Sequence, residues 1–163
     1  MGGYKMAAIY SIVYTPKGST RQSPDAYVRV PLEKASLVVG HGIDGDRKGG
    51  NPNRQLNIMS YETLAALEKE GFTVKPGAMG EQIILEGLDV NQLQQGDRIR
   101  LGERALVEVV SHRNGCDRFQ HIQGHHPSEA KGRLGIMAKV IQGGTIAPGD
   151  VVTQVESATV IEN

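Results

Sequence analysis

Cys116 is the only cysteine in the chain, and chemistry is easiest to read around it. It sits in the stretch SHRNGCDRF, residues 111–119. An alternating run over residues 105–110 precedes it and predicts a half-buried strand. Asn114 and Gly115 form a turn signal. The thiol is therefore expected on a loop at a strand end. His112, Arg113 and Arg118 flank it in sequence. Positive neighbours favour the thiolate, which is both the nucleophile and the soft metal ligand. The alternative is a small buried hydrophobe, the usual fate of a free cysteine inside an element. A glycine-bounded loop between arginines favours the functional thiol.

Residues 40–54 have a second distinctive composition. Five glycines fall between Gly40 and Gly50. Such a loop lets backbone amides approach a ligand closely. Arg47, Lys48 and Arg54 add cationic donors suited to an anion such as a phosphate. Neither the G-x-G-x-x-G pattern nor the Walker pattern is present, so a solvated loop fits the composition equally well. The histidines 112, 121, 125 and 126 stand near Cys116, yet only one cysteine is available and His125 and His126 are adjacent. Structural zinc sites use ligand pairs two to four residues apart on two knuckles, so no zinc is expected. No G-x-S-x-G elbow occurs.

The elements that must position these residues are mostly strands. Apolar, β-branched residues predict a strand over residues 7–14. Residues 26–39 predict one strand broken at Pro31, or two strands, because proline cannot donate within a central strand. A short strand is expected at 55–59. Ser60 can cap a helix over 61–70 that buries Leu64 and Leu67 and stops at Gly71. Further strands are expected at 83–85, 98–101, 105–110, 135–142 and 151–155, with a short irregular piece at 88–95. Phe119 and Ile122 could anchor a short helix after the cysteine. Gly-Asp pairs ending at Asp97 and Asp150 precede strands and read as turn chemistry. Short strands joined by tight turns predict a β-barrel-like fold with one or two short helices.

Composition bounds the class. The chain has 163 residues, no net charge, no tryptophan and two phenylalanines. One domain is expected over residues 1–163, with its core at about 7–155 and a frayed tail at 156–163. Zero net charge points to no nucleic-acid partner. No stretch nears the ~20 apolar residues that cross a bilayer, and no secretory signal is visible. A cytoplasmic protein without membrane attachment is the expectation.

Several short motifs then fall into a recognisable order. Gly42 to Lys48 comes first, followed by Arg54 to Asn57, Pro76 to Ile83, Gly96 to Gly102, Cys116, and the glycines 143, 144 and 149 with Asp150. In this order the chain resembles the MOSC domain, named for the C-terminal part of molybdenum cofactor sulfurases, in its small stand-alone form. The resemblance implies a β-barrel-like fold of the pyruvate-kinase-barrel kind. It also implies a cysteine that binds molybdenum or carries sulfur. Relatives in the amidoxime-reducing group use that cysteine as a ligand to the metal of the molybdenum cofactor (molybdopterin) and reduce N-hydroxylated compounds. Carried over, Cys116 becomes metal ligand and catalytic residue. Asp46, Arg47, Arg54, Asn57, Gly80, Glu81, Gln82, Arg113 and Arg118 become cofactor-binding residues. Two steps depart from the family pattern: Gly115 stands where proline often precedes the cysteine, and Gln82 stands in a usual Gly-Glu-Asn step. The implied partners are a small-molecule substrate and an electron-donor protein. The alternative is a sulfur carrier that takes a persulfide on Cys116 from a pyridoxal-phosphate-dependent cysteine desulfurase. A third reading is a non-catalytic binding module.

Overall fold

The computed structural model describes residues 6–18, 29–115 and 117–155, without the side chains of Asp117 and Arg118. Cys116, the expected frayed tail and the start of the second predicted strand lie outside the described residues.

Among the described residues, eleven strands and two α-helices follow in chain order. They are β1 (Ala8–Tyr14), β2 (Val30–Pro31), β3 (Ala35–Val38), β4 (Gly42–Ile43), β5 (Leu56–Ser60), α1 (Tyr61–Lys69), β6 (Ile83–Glu86), β7 (Arg98–Leu101), β8 (Ala105–His112), α2 (Asp117–Gln123), β9 (Ile136–Gln142), β10 (Gly144–Ile146) and β11 (Val152–Val155). One eight-stranded mixed sheet runs β11-β7-β8-β9-β5-β6-β1-β2, and a three-stranded sheet runs β10-β3-β4. The large sheet curls until β11 at one end meets β1, next to the short β2 at the other. Ala8 bridges Val151, Ile9 N donates to Asp150 O at 2.9 Å, and Val152 N donates to Ala7 O at 2.9 Å. The seam is held by these few bonds and not by a full ladder, so the sheet is barrel-like.

Side-chain alternation fills this curl. Along β9, Ile136, Ala138 and Val140 are buried, while Met137 and Lys139 between them are partly exposed. The same period of two buries Ile99 and Leu101 on β7. These residues join Ile12, Leu56, Ile58, Ile83 and Val107 in the main core. Burying each such aliphatic side chain is worth about 1.5–3 kcal/mol. A second, smaller core holds Leu64 and Leu67 of α1 with Phe72, Met79, Phe119 and Leu134. It packs α1 and α2 on the outside of the sheet.

Two details differ from the sequence expectation. Ser60 precedes α1 but makes no side-chain cap bond. Its hydroxyl donates to Leu88 O at 2.6 Å and accepts from Val90 N at 2.9 Å, so it pins the segment after β6 instead. After β9 no strand was expected before 151–155, yet Gly144 opens the short β10, which pairs β3 through Gly144 and Leu37.

Candidate functional site

The end of β8 is where the barrel presents the predicted loop. The β8–β9 register shifts between Val109 and Ser111. A bulge of this kind re-aims the following side chains. Arg113 then turns inward and is 8% exposed. Its amide donates to Gly135 O at 2.9 Å. Gly135 has a φ of 82°, and a Cβ there would collide with Ile58 O of β5. Only glycine permits that approach, and through it β9 keeps both its place beside β5 and its bond to Arg113. His112 is spent on structure, with Nε2 at 2.6 Å from Leu93 O.

Beneath the loops runs a closed ring of hydrogen bonds. Asp46 is fully buried. Its Oδ1 accepts from Thr15 N at 3.2 Å and Lys48 N at 3.1 Å, and its Oδ2 accepts from Gln82 Nε2 at 3.2 Å. Gln82 Oε1 accepts from Asn57 N at 2.8 Å. Asn57 Nδ2 and Arg29 Nη2 both donate to Gly80 O, at 3.2 and 3.1 Å. Arg29 Nη1 closes the ring on Thr15 Oγ1 at 2.8 Å. The ring ties β1, the 40–54 loop, β5 and the 77–82 loop into one floor. Both ends of the Gln82 amide are engaged within it. Gln82 reaches Asp46 with one methylene more than the asparagine of the usual family step.

Above this floor opens a cavity of about 420 Å³. Arg29, Arg47, Lys48, Arg54 and Arg113 line it, together with Asn51, Asn57, Gln82, Asn114, Met137 and the backbone of Gly80. No aspartate or glutamate is among these lining residues. The expected residues Arg47, Arg54, Asn57, Gly80, Gln82 and Arg113 therefore meet at one place, with Asp46 directly below. Asn57 Oδ1 is buried there without a hydrogen-bond donor. The protein offers anions several positive charges and offers a donor one unmet acceptor. A larger cavity, about 720 Å³, lies between the turn at Gly102 to Arg104 and the start of β10 at Gly143 to Thr145. It has carboxylates at Glu103 and Asp150, and none of the residues singled out around Cys116 or the 40–54 loop lines it.

Glu81 does not line the cavity. It is fully buried, and its carboxylate accepts from Gly77 N at 2.8 Å and Met79 N at 3.1 Å. That shapes the turn which delivers Gly80. Burial pushes the Glu81 carboxyl above the ordinary carboxylate range, against backbone amides and the charge of Arg113. The folded state thus holds this proton more tightly than the unfolded chain does. The associated stability is present below the ordinary value of 4.5 and is lost as pH rises through the raised folded value. Denaturant unfolding between about pH 4 and 8 should therefore show the native protein losing stability relative to Glu81→Gln as pH rises. Parallel curves would contradict the assignment.

Beyond Arg113, Gly115 passes close to the side chains of Pro127 and Phe119. A Cβ there would lie 2.7 Å from Pro127 Cβ and 3.2 Å from Phe119 Cδ1, so the prolyl side chain of 127 fills the space a residue before the cysteine would use. Among the histidines, His125 stacks on Phe72 at 4.2 Å and pairs with Glu129 at 3.0 Å. His126 caps the turn at Pro127. Among the described residues no three His, Cys, Asp or Glu lie close enough to hold a metal ion. Lys48, expected as a cationic donor for an anion, also lines the cavity, whereas Arg29, Asn51, Asn114 and Met137 were not expected as site residues. Arg29 alternates with Val28 and Val30, and that pattern signals only an outward-facing strand position. Asn114 belongs to the turn signal that the sequence carries before Cys116.

The family comparison agrees with this geometry. The MOSC domain family matches residues 44–153, and the chain belongs to that family. YiiM from Geobacillus stearothermophilus is similar in structure, with TM-score 0.70 and 24% identity over 92% of this chain and 75% of that one. The YuaD protein from Bacillus subtilis has TM-score 0.70 and 22% identity, covering 90% of this chain and 94% of its own. YiiM from Escherichia coli has TM-score 0.67 and 23% identity over 91% of this chain and 69% of that one. At these identities the likeness concerns the fold. A search of curated proteins found no match. No helix among the described residues is long and apolar enough to cross a membrane.

Proposed function

We propose that the cationic cavity binds the molybdenum cofactor, that Cys116 is the protein ligand to its metal, and that the loaded protein reduces small N-hydroxylated compounds. The observation that supports this most is a cavity walled by five cations with no carboxylate among its lining residues. Arg47, Lys48 and Arg54 suit the cofactor's phosphate. Asn51, Asn114 and the unmet acceptor of Asn57 suit the polar edge of a pterin. A thiolate suits a metal already held by dithiolene sulfur. When bound, the cofactor supplies two-electron redox chemistry. The protein's share is placement: the Asp46 ring holds both loops, and Arg113 brings a fixed charge from the end of β8. The overall reduction breaks one N–O bond. It takes two electrons from a donor protein and two protons, and it yields the amine-type product and water.

The test is expression in cells that make molybdopterin, followed by elemental analysis. About one molybdenum per chain is expected. A metal-free protein that accepts sulfur-35 from a cysteine desulfurase would overturn the proposal in favour of the sulfur-carrier reading.

A further inference from the structure

Within the cavity one side chain has a different chemistry from all the others. Arg29, Arg47, Lys48, Arg54 and Arg113 are cations, and the remaining polar side chains are amides. Met137 alone presents no nitrogen or oxygen. Its place is fixed by the sheet. On β9 its neighbours Ile136 and Ala138 point into the core, which leaves Met137 on the outer, cavity-facing side. It pairs across the sheet with Asn57 on β5 and with Ser111 on β8. The thioether therefore stands in the cavity wall beside the unmet acceptor of Asn57, on a strand and not on a loop.

A hydrated inorganic anion gains nothing from such a group. A cavity serving only a phosphate or sulfate would do better with another donor at this position. A thioether is polarisable and unbranched, and it makes favourable contacts with aromatic rings. We infer that Met137 is a specificity-determining residue, and that the cavity selects ligands joining an anionic group to a flat, polarisable ring. The ring lies against Met137 and the anion faces the arginines. The inference takes the cavity from the functional reading above but does not depend on the metal.

The metal-free protein allows a direct test by calorimetry with two probes, inorganic phosphate and 1-naphthyl phosphate. Native protein should bind naphthyl phosphate at least about tenfold more tightly than phosphate, a difference of about 1.4 kcal/mol. Met137→Gln, of similar length and partly exposed, should bring the two affinities together while leaving phosphate affinity unchanged. Arg54→Gln should weaken both probes and keep their ratio. Equal affinities in the native protein would overturn the inference. So would a ratio that survives Met137→Gln. Circular dichroism confirms that each variant is folded, and Met137→Leu, which keeps the apolar surface, should retain most of the preference. If the chain made in molybdopterin-producing cells carries neither molybdenum nor pterin while the Met137-dependent ratio holds, the cofactor reading fails and this inference stands.

Discussion

Replacing Asp46 by alanine is expected to lower the unfolding free energy by about 3–5 kcal/mol and to abolish anion binding in the cavity. The carboxylate accepts three hydrogen bonds in a fully buried position. Removing it strands Thr15 N and Gln82 Nε2, both in nearly inaccessible residues. Each buried donor left unpaired costs about 1–3 kcal/mol. For a chain of this size such a loss lowers the melting temperature by roughly 10 °C. Asp46→Asn is informative because its volume is unchanged. Its new amide N–H would face the Gln82 Nε2 donor. Turning Gln82 over relieves that conflict only by pointing Nε2 at Asn57 N, another donor. The mismatch travels round the ring, so this variant should also be destabilised, by about 1–2 kcal/mol. Urea unfolding of both variants, with phosphate titration of the folded protein, checks the expectation. An Asp46→Asn variant of native stability would show that the ring contributes nothing.

The second large effect is on Cys116. Cys116→Ser should reduce N-hydroxylated substrate turnover by about a hundredfold or more, near 2.7 kcal/mol of barrier, with a melting temperature close to native. A serine hydroxyl stays protonated at neutral pH and is a harder, poorer ligand for a sulfur-bound metal than a thiolate. The chain leading to Cys116 is held by Arg113 N on Gly135 O and by the packing of Gly115 on Pro127, neither of which involves the thiol. Steady-state assay of the loaded protein and a thermal melt read the two quantities. A strongly destabilised variant with native turnover would assign the cysteine to packing instead.

Much of this arrangement was legible in the sequence, because it depended on local period. The alternation of Arg98 to Leu101 marks β7, and the spacing of Leu64 and Leu67 marks α1. Asp97 and Asp150 do act as turn residues, accepting from Gln94 N and Ala147 N. The residues that escaped reading depend on distant partners. Arg29 bonds to Thr15 and Gly80, which lie 14 and 51 residues away. Two-residue β4 and three-residue β10 exist only through pairing with β3. The roles of Glu81 and Gln82 had the same origin. Both carry polar groups that suit a ligand, yet burial turns one toward its own turn and the other toward Asp46. Charge near a glycine loop located the cavity, but which polar groups face it was decided by the fold of the whole sheet.

The most direct measurement of the central claim is the pterin content of the purified native protein beside an Arg47→Gln/Arg54→Gln double variant, both made in cells that synthesise molybdopterin. Both arginines are exposed at the cavity rim, so the double variant should melt as the native protein does. The expected result is close to one pterin per native chain and at least about a tenfold loss in the double variant, the effect of about 1.4 kcal/mol from two lost phosphate contacts. Equal pterin content in the two proteins, or none in the native chain, would contradict it.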